Sequence, residues 1–190
     1  MSRSIDNAVL LAAEATLAHL VMMTKMAGAK LISEGALYET FNIALRTHTK
    51  SWVNHEHKVV IDQSVSAQKT RAGDKPRVDF AVEMNGKVAL VELKIASRTK
   101  LRQTVNVSRD MVKLVQSEPL LTSSKPFMRH AYLVVFNVST CDTSKSHVGK
   151  IMWNDPPPES DISVIGVFNY ASGRFKRTAV VYRIWRNKHT

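Results

Sequence analysis

Asp79, Glu92 and Lys94 are the residues whose types and spacing most readily support chemistry. They flank Asn85-Gly86, the strongest short-range signal for a two-residue hairpin turn, because both turn positions need positive φ and Asn and Gly tolerate it. Such a turn pairs Met84 with Lys87, and with them all residues whose numbers sum to 171. Asp79 is then expected to face Glu92, and Arg77 to face Lys94. Side-chain alternation puts Asp79, Glu92 and Lys94 on one face of the sheet and Phe80, Val91, Leu93 and Ile95 on the other. Directly opposed side chains have Cβ atoms only about 4.5–5.5 Å apart, so two carboxylates meeting there repel unless something compensates. A divalent cation is the natural compensation: Mg²⁺ takes hard oxygen ligands, often one or two carboxylates, and leaves its other positions to water and phosphate. Mn²⁺ is the expected substitute. Such a cation lowers the pKa of bound water and stabilises charge on a phosphate, while the Lys94 ammonium orients or deprotonates the attacking water. The chemistry this trio suits is phosphodiester hydrolysis.

On Asp79 followed by Glu92-Leu93-Lys94, the sequence resembles the PD-(D/E)XK nuclease superfamily, whose restriction-endonuclease-like fold carries an Asp and a Glu-x-Lys on a hairpin of the central sheet. The resemblance covers residues 33–138. It implies that Asp79 and Glu92 are metal ligands and Lys94 the catalytic lysine. Family members often add a glutamate from the helix before the sheet, a few residues after a glycine. Gly35-Ala36-Leu37-Tyr38-Glu39 resembles that arrangement and makes Glu39 a fourth candidate catalytic residue, with Glu34 its rival; either is equally read as an acid stabilised near a helix N-terminus. One departure is visible: Val78, not proline, precedes the Asp, and Pro76 lies further upstream.

The remaining motifs are poorer. His55-Glu56-His57 sets two imidazoles on one strand face without a third ligand, and Cys141 lies in a polar loop with no histidine partner. There is no Walker A motif, no Gly-x-Ser-x-Gly and no dinucleotide fingerprint. Two basic clusters bracket the acids: Lys69, Arg71, Lys75 and Arg77 before the hairpin, Arg98, Lys100 and Arg102 with Gln103 after it. Together they are the candidate phosphate contacts for a duplex laid across the site.

The elements that must position these residues follow from periodicity. Val9, Ala13, Leu17, Leu20 and Val21 mark one face of an amphipathic helix over 8–23, and Leu37, Phe41, Ala44 and Leu45 mark a second over 33–46 with Ser33 as its N-cap. Strand-like residues run over 52–65, the hairpin over 77–83 and 87–96, and a helix over 101–118 closed by Pro119. A buried strand over 130–138, a loop over 139–160 and a basic hairpin over 162–170 and 178–185 complete the chain. This order predicts a single α/β domain, 1–190, with a central mixed sheet flanked by helices. Residues 1–27 form its first helix, 33–138 its nuclease-like core, and 139–190 its loop and C-terminal hairpin.

Composition agrees. The 190 residues carry 27 Lys+Arg against 16 Asp+Glu, a formal charge of +11, which favours a polyanionic partner. One cysteine excludes a disulfide scaffold and a four-thiolate zinc site, and fits a reducing, cytoplasmic compartment. The apolar run at 8–23 is interrupted by Glu14 and His19 and preceded by Asp6, so neither export nor a membrane span is expected. The expected protein is a Mg²⁺-dependent endonuclease acting on DNA ahead of RNA, as a homodimer if it cuts both strands. The alternative is a catalytically inactive nucleic-acid-binding module of the same fold, and, more distantly, a basic structural protein whose acids face water.

Overall fold

Apolar residues at helical spacing and at strand spacing sort this chain into helices laid on both faces of one sheet. The structure, a computed structural model, describes residues 4–27, 34–49, 53–61, 77–96, 110–111, 113–115, 117–119, 128–137, 160–172 and 175–186. Helices α1 (Ile5–Ala27) and α2 (Glu34–Thr49) precede strands β1 (Val53–Ile61), β2 (Arg77–Met84), β3 (Lys87–Ala96), β4 (Ser117–Pro119), β5 (Met128–Asn137), β6 (Ser160–Ser172) and β7 (Phe175–Arg186). Asp110, Met111, Lys113, Leu114 and Val115 are helical and lie between β3 and β4.

The sheet has seven strands in the order β4-β1-β2-β3-β5-β7-β6. Its one parallel pair is β3 with β5, and every other neighbouring pair is antiparallel. A parallel pair needs a crossover, and the helical residues between β3 and β4 lie in that connection. The fold is therefore α/β with a mixed sheet, as the order of elements predicts. Ser117–Pro119 departs from that prediction: these residues form a short strand on β1 where the sequence pattern placed the end of a helix. Pro119 is tolerated because β4 is an edge strand, where a missing N–H need not break a ladder.

Two apolar clusters define the two faces. On the first, Ile5, Val9, Ala13, Leu17 and Leu20 of α1 and Leu37, Phe41 and Leu45 of α2 pack on Phe80, Val91, Leu93, Tyr132, Val134, Phe136 and Val181. Phe41 and Phe80 meet in a tilted ring pair with centroids 5.3 Å apart. On the second, Met111, Leu114 and Val115 pack on Ala81, Val88, Leu90, Leu133, Val135 and Tyr182. Helix α1 starts at Ile5, earlier than periodicity suggested, because Ser4 caps it: its Oγ accepts the Asn7 N–H at 3.1 Å. Over Ile5–Met23 it is long and apolar enough to cross a bilayer, so length does not argue against a span, contrary to expectation. What argues against it is packing, since the apolar stripe of α1 faces the sheet. The approach is close at β6, where a Cβ on Gly166 would lie 2.3 Å from Leu10 Cδ2.

A polar cluster fixes the start of α1. The Tyr132 hydroxyl donates to Asp6 Oδ1, Arg183 Nη1 lies 3.5 Å from Asp6 Oδ2, and His130 Nδ1 lies 3.7 Å from Asp6 Oδ1.

Candidate active site

The turn at Asn85-Gly86 sets the hairpin. Both residues have positive φ, 52° and 70°, which Gly adopts without cost and Asn more readily than other residues. The register runs Met84↔Lys87, Glu83↔Val88, Val82↔Ala89, Ala81↔Leu90 and Phe80↔Val91, each pair summing to 171 as the sequence predicts. Beyond Phe80↔Val91 the prediction needs correcting. The ladder pairs expected for Asp79 with Glu92 and for Arg77 with Lys94 are not among those formed. Instead the Asp79 carboxylate turns to the neighbouring backbone, and its Oδ2 accepts the Leu93 N–H at 2.8 Å. The side chain has taken over a hydrogen bond that the strand would otherwise make.

Asp79, Glu92 and Lys94 nonetheless share a neighbourhood. In the parallel register Glu92 lies beside Leu133 and Lys94 beside Val135, both on the second face. Glu92 is 1% exposed. The helix packed on that face adds two residues that the sequence reading missed, Asp110 and Lys113. Lys113 Nζ contacts Glu92 Oε1 and lies 3.1 Å from Asp110 Oδ1, while Lys94 Nζ lies 2.7 Å from Asp110 Oδ2. Arg129 holds the helix from β5, donating from Nη2 to the carbonyls of Leu114 at 2.7 Å and Val115 at 2.6 Å. The available signal was the pair Asp110 and Lys113, three apart on a helix otherwise turned to the core by Met111, Leu114 and Val115.

Electrostatics follow burial. Loss of solvent and the neighbouring Asp79 charge push the Glu92 carboxyl up to about 8, with Asp110 adding to the rise and Lys113 opposing it. Burial alone would lower both lysines, but Asp110 beside Lys94, and Glu92 with Asp110 beside Lys113, outweigh it and raise both. Lys94 and Lys113 are thus held as ammonium ions. Three carboxylates and two ammoniums leave the group one negative charge in excess when all are ionised.

The donor set fits a hard divalent cation. Glu92 Oε1 is buried and is met by the Lys113 ammonium, and Asp79 is a second carboxylate beside it. No three His, Cys, Asp or Glu side chains converge as ligands among the described residues. A cation held here would rest on Asp79 and Glu92, the one or two carboxylates that suffice for Mg²⁺.

The other predicted site residues stand apart. Glu39 is exposed on α2, about 200° around the helix from Leu37 and Phe41, which pack on the first face of the sheet. The structure does not bring it to Glu92, and the expected fourth acid is corrected accordingly. Arg77 is exposed at the start of β2, opposite Lys58 of β1. Lys69, Arg71, Lys75, Arg98, Lys100, Arg102 and Gln103 lie outside the described residues, as does the proposed cap Ser33.

Comparison of the chain with protein-family models, with curated proteins and with solved structures finds no match.

Proposed function

We propose that this protein is a Mg²⁺-dependent nuclease of restriction-endonuclease-like fold that hydrolyses DNA phosphodiester bonds, as an endonuclease. The observation that carries the reading is Glu92: a carboxyl group 1% exposed, its pKa raised by burial and by the neighbouring Asp79 charge, on a strand that also presents Lys94. A buried acid of this kind is costly for stability alone, and perturbed acids in company with lysines are characteristic of working sites.

Bound Mg²⁺ supplies positive charge to the scissile phosphate and lowers the pKa of a water. Asp79 and Glu92 would hold the cation. Asp110 fixes Lys94 as an ammonium at 2.7 Å, so Lys94 orients the attacking water and stabilises developing negative charge rather than removing a proton. Leu90, Leu133 and Met111 close the floor against solvent, which strengthens each of these interactions. Arg77 and the basic residues Lys69, Arg71, Lys75, Arg98, Lys100 and Arg102, with Gln103, which flank the acids in sequence, are the candidate phosphate contacts, and a homodimer would supply the second site for the second strand.

A second reading, a non-catalytic nucleic-acid-binding module, is favoured by Lys113, whose ammonium already compensates Glu92. Plasmid and single-stranded DNA incubated with the protein in Mg²⁺, Mn²⁺ or EDTA separate the two. Nicking that needs the metal and falls about 10²-fold or more in both Asp79→Ala and Lys94→Ala is the expected outcome. Metal-dependent nicking that survives both substitutions overturns the site, and salt-sensitive binding without cleavage selects the module.

A further inference from the structure

We propose that Lys113 is a built-in counter-ion that holds the cation's place on Glu92, so that a divalent cation binds by displacing the Lys113 ammonium toward Asp110. This rests on the reading of Asp79 and Glu92 as metal ligands.

The geometry supplies each part of the exchange. Lys113 contacts Glu92 Oε1, a buried oxygen, as the charged partner of that carboxyl. Its alternative resting place is already in contact: Asp110 Oδ1 lies 3.1 Å from the same Nζ. Asp110 also binds Lys94 through its other oxygen, at 2.7 Å, so it can keep both lysines when Glu92 is given up. The exchange asks little of the backbone. Arg129 anchors the carbonyls of Leu114 and Val115, next to Lys113 in sequence, and the Lys113 side chain is 16% exposed, which leaves it a way outward. Four methylenes and a point charge make lysine suited to such a swing.

Charge balance decides the direction. A divalent cation on Glu92 with Lys113 unmoved sets two cations against one buried carboxylate, whereas Lys113 moved to Asp110 faces a carboxylate of its own. Repulsion at such separations, in a site shielded from water, is worth far more than in solvent. Binding and displacement are therefore coupled, and the lysine sets a threshold of divalent cation below which the acids stay closed by their own chain.

The test is Mn²⁺ binding to the full chain by titration calorimetry, for wild type and for Lys113→Gln, Lys113→Arg and Glu92→Gln. Lys113→Gln is expected to bind about tenfold more tightly, the size of one charge-assisted hydrogen bond, with Lys113→Arg close to wild type and Glu92→Gln without binding. Lys113→Gln affinity equal to or weaker than wild type, with binding still dependent on Glu92, overturns the displacement and leaves the metal site standing. Absence of binding in both wild type and Lys113→Gln overturns the metal site itself and the displacement with it. A measurement on the unaltered protein covers the case in which Lys113→Gln fails to fold: the ¹⁵Nζ resonance of Lys113 must shift as Mg²⁺ saturates the site, and a resonance that stays fixed refutes displacement.

Discussion

Glu92 makes the stability of this protein depend on pH in a definite sense. Folded, it keeps its proton up to about 8; unfolded, it loses it near 4.5. The stability this proton contributes is full below pH 4.5 and is lost as pH rises toward 8, because the folded state binds the extra proton in between. His130 acts in the opposite direction: burial, aided by Arg183, lowers its pKa from 6.5, so stability is lost as pH falls through that range. The difference between wild type and Glu92→Gln isolates the acid. In EDTA, the thermal stability of the wild type relative to Glu92→Gln is expected to fall progressively from about pH 5 to pH 8, and added Mg²⁺ should stabilise the wild type more at the upper end. At this scale the sequence was informative where local geometry governs. Asn85-Gly86 determines the hairpin register and therefore which residues share a face with Glu92. It could not foretell that Asp79 would turn its carboxylate to the Leu93 N–H, because that choice depends on where the ladder ends.

Elements were legible in kind and less so in placement. The stripes of α1 and α2 showed which side of each helix is buried, and Leu17, Leu20, Phe41 and Leu45 are in the core as expected. A stripe does not say which face of a sheet receives it. The family resemblance that makes Glu39 a candidate carries no such information either, and Asp110 and Lys113 lie on a helix packed over the other face. β4 escaped notice because three residues ending in proline display no period of two. The element that matters most for the site is the helix bearing Asp110 and Lys113, and its tether is Arg129. Arg129→Met removes two hydrogen bonds from a charged donor to the Leu114 and Val115 carbonyls. Loss of about 1.5–3 kcal/mol is expected in denaturant melts, together with a fall in any metal-dependent cleavage, since Asp110, the partner of Lys94, and Lys113, the partner of Glu92, ride on that helix.

At the scale of the whole molecule, charge is the leading property. An excess of 11 positive charges gives any phosphate partner a steep dependence on salt. If about six cations neutralise phosphates, affinity for duplex DNA is expected to fall about 10³-fold between 50 and 200 mM salt. A fluorescence-anisotropy titration across that range measures the slope, and a flat response would show that the charge serves something other than a phosphate backbone. The sheet also explains how residues outside the family resemblance belong to the same body: α1 shares its cluster with Ala179 and Val181 of β7, so the first helix and the last strand complete one core.

That closure has a consequence in time. Asp6 and Arg183 meet across 177 positions of sequence, and Asp6 and Tyr132 across 126. On a ribosome adding about 5–20 residues per second, roughly 10–30 s pass between the emergence of α1 and that of β7, one of the strands it packs on. Until then the stripe of Val9, Leu17 and Leu20 has only α2 and the strands made before β7 to cover it. The cover of α1 is therefore partial until β7 arrives, and a strand made late seals a helix made early.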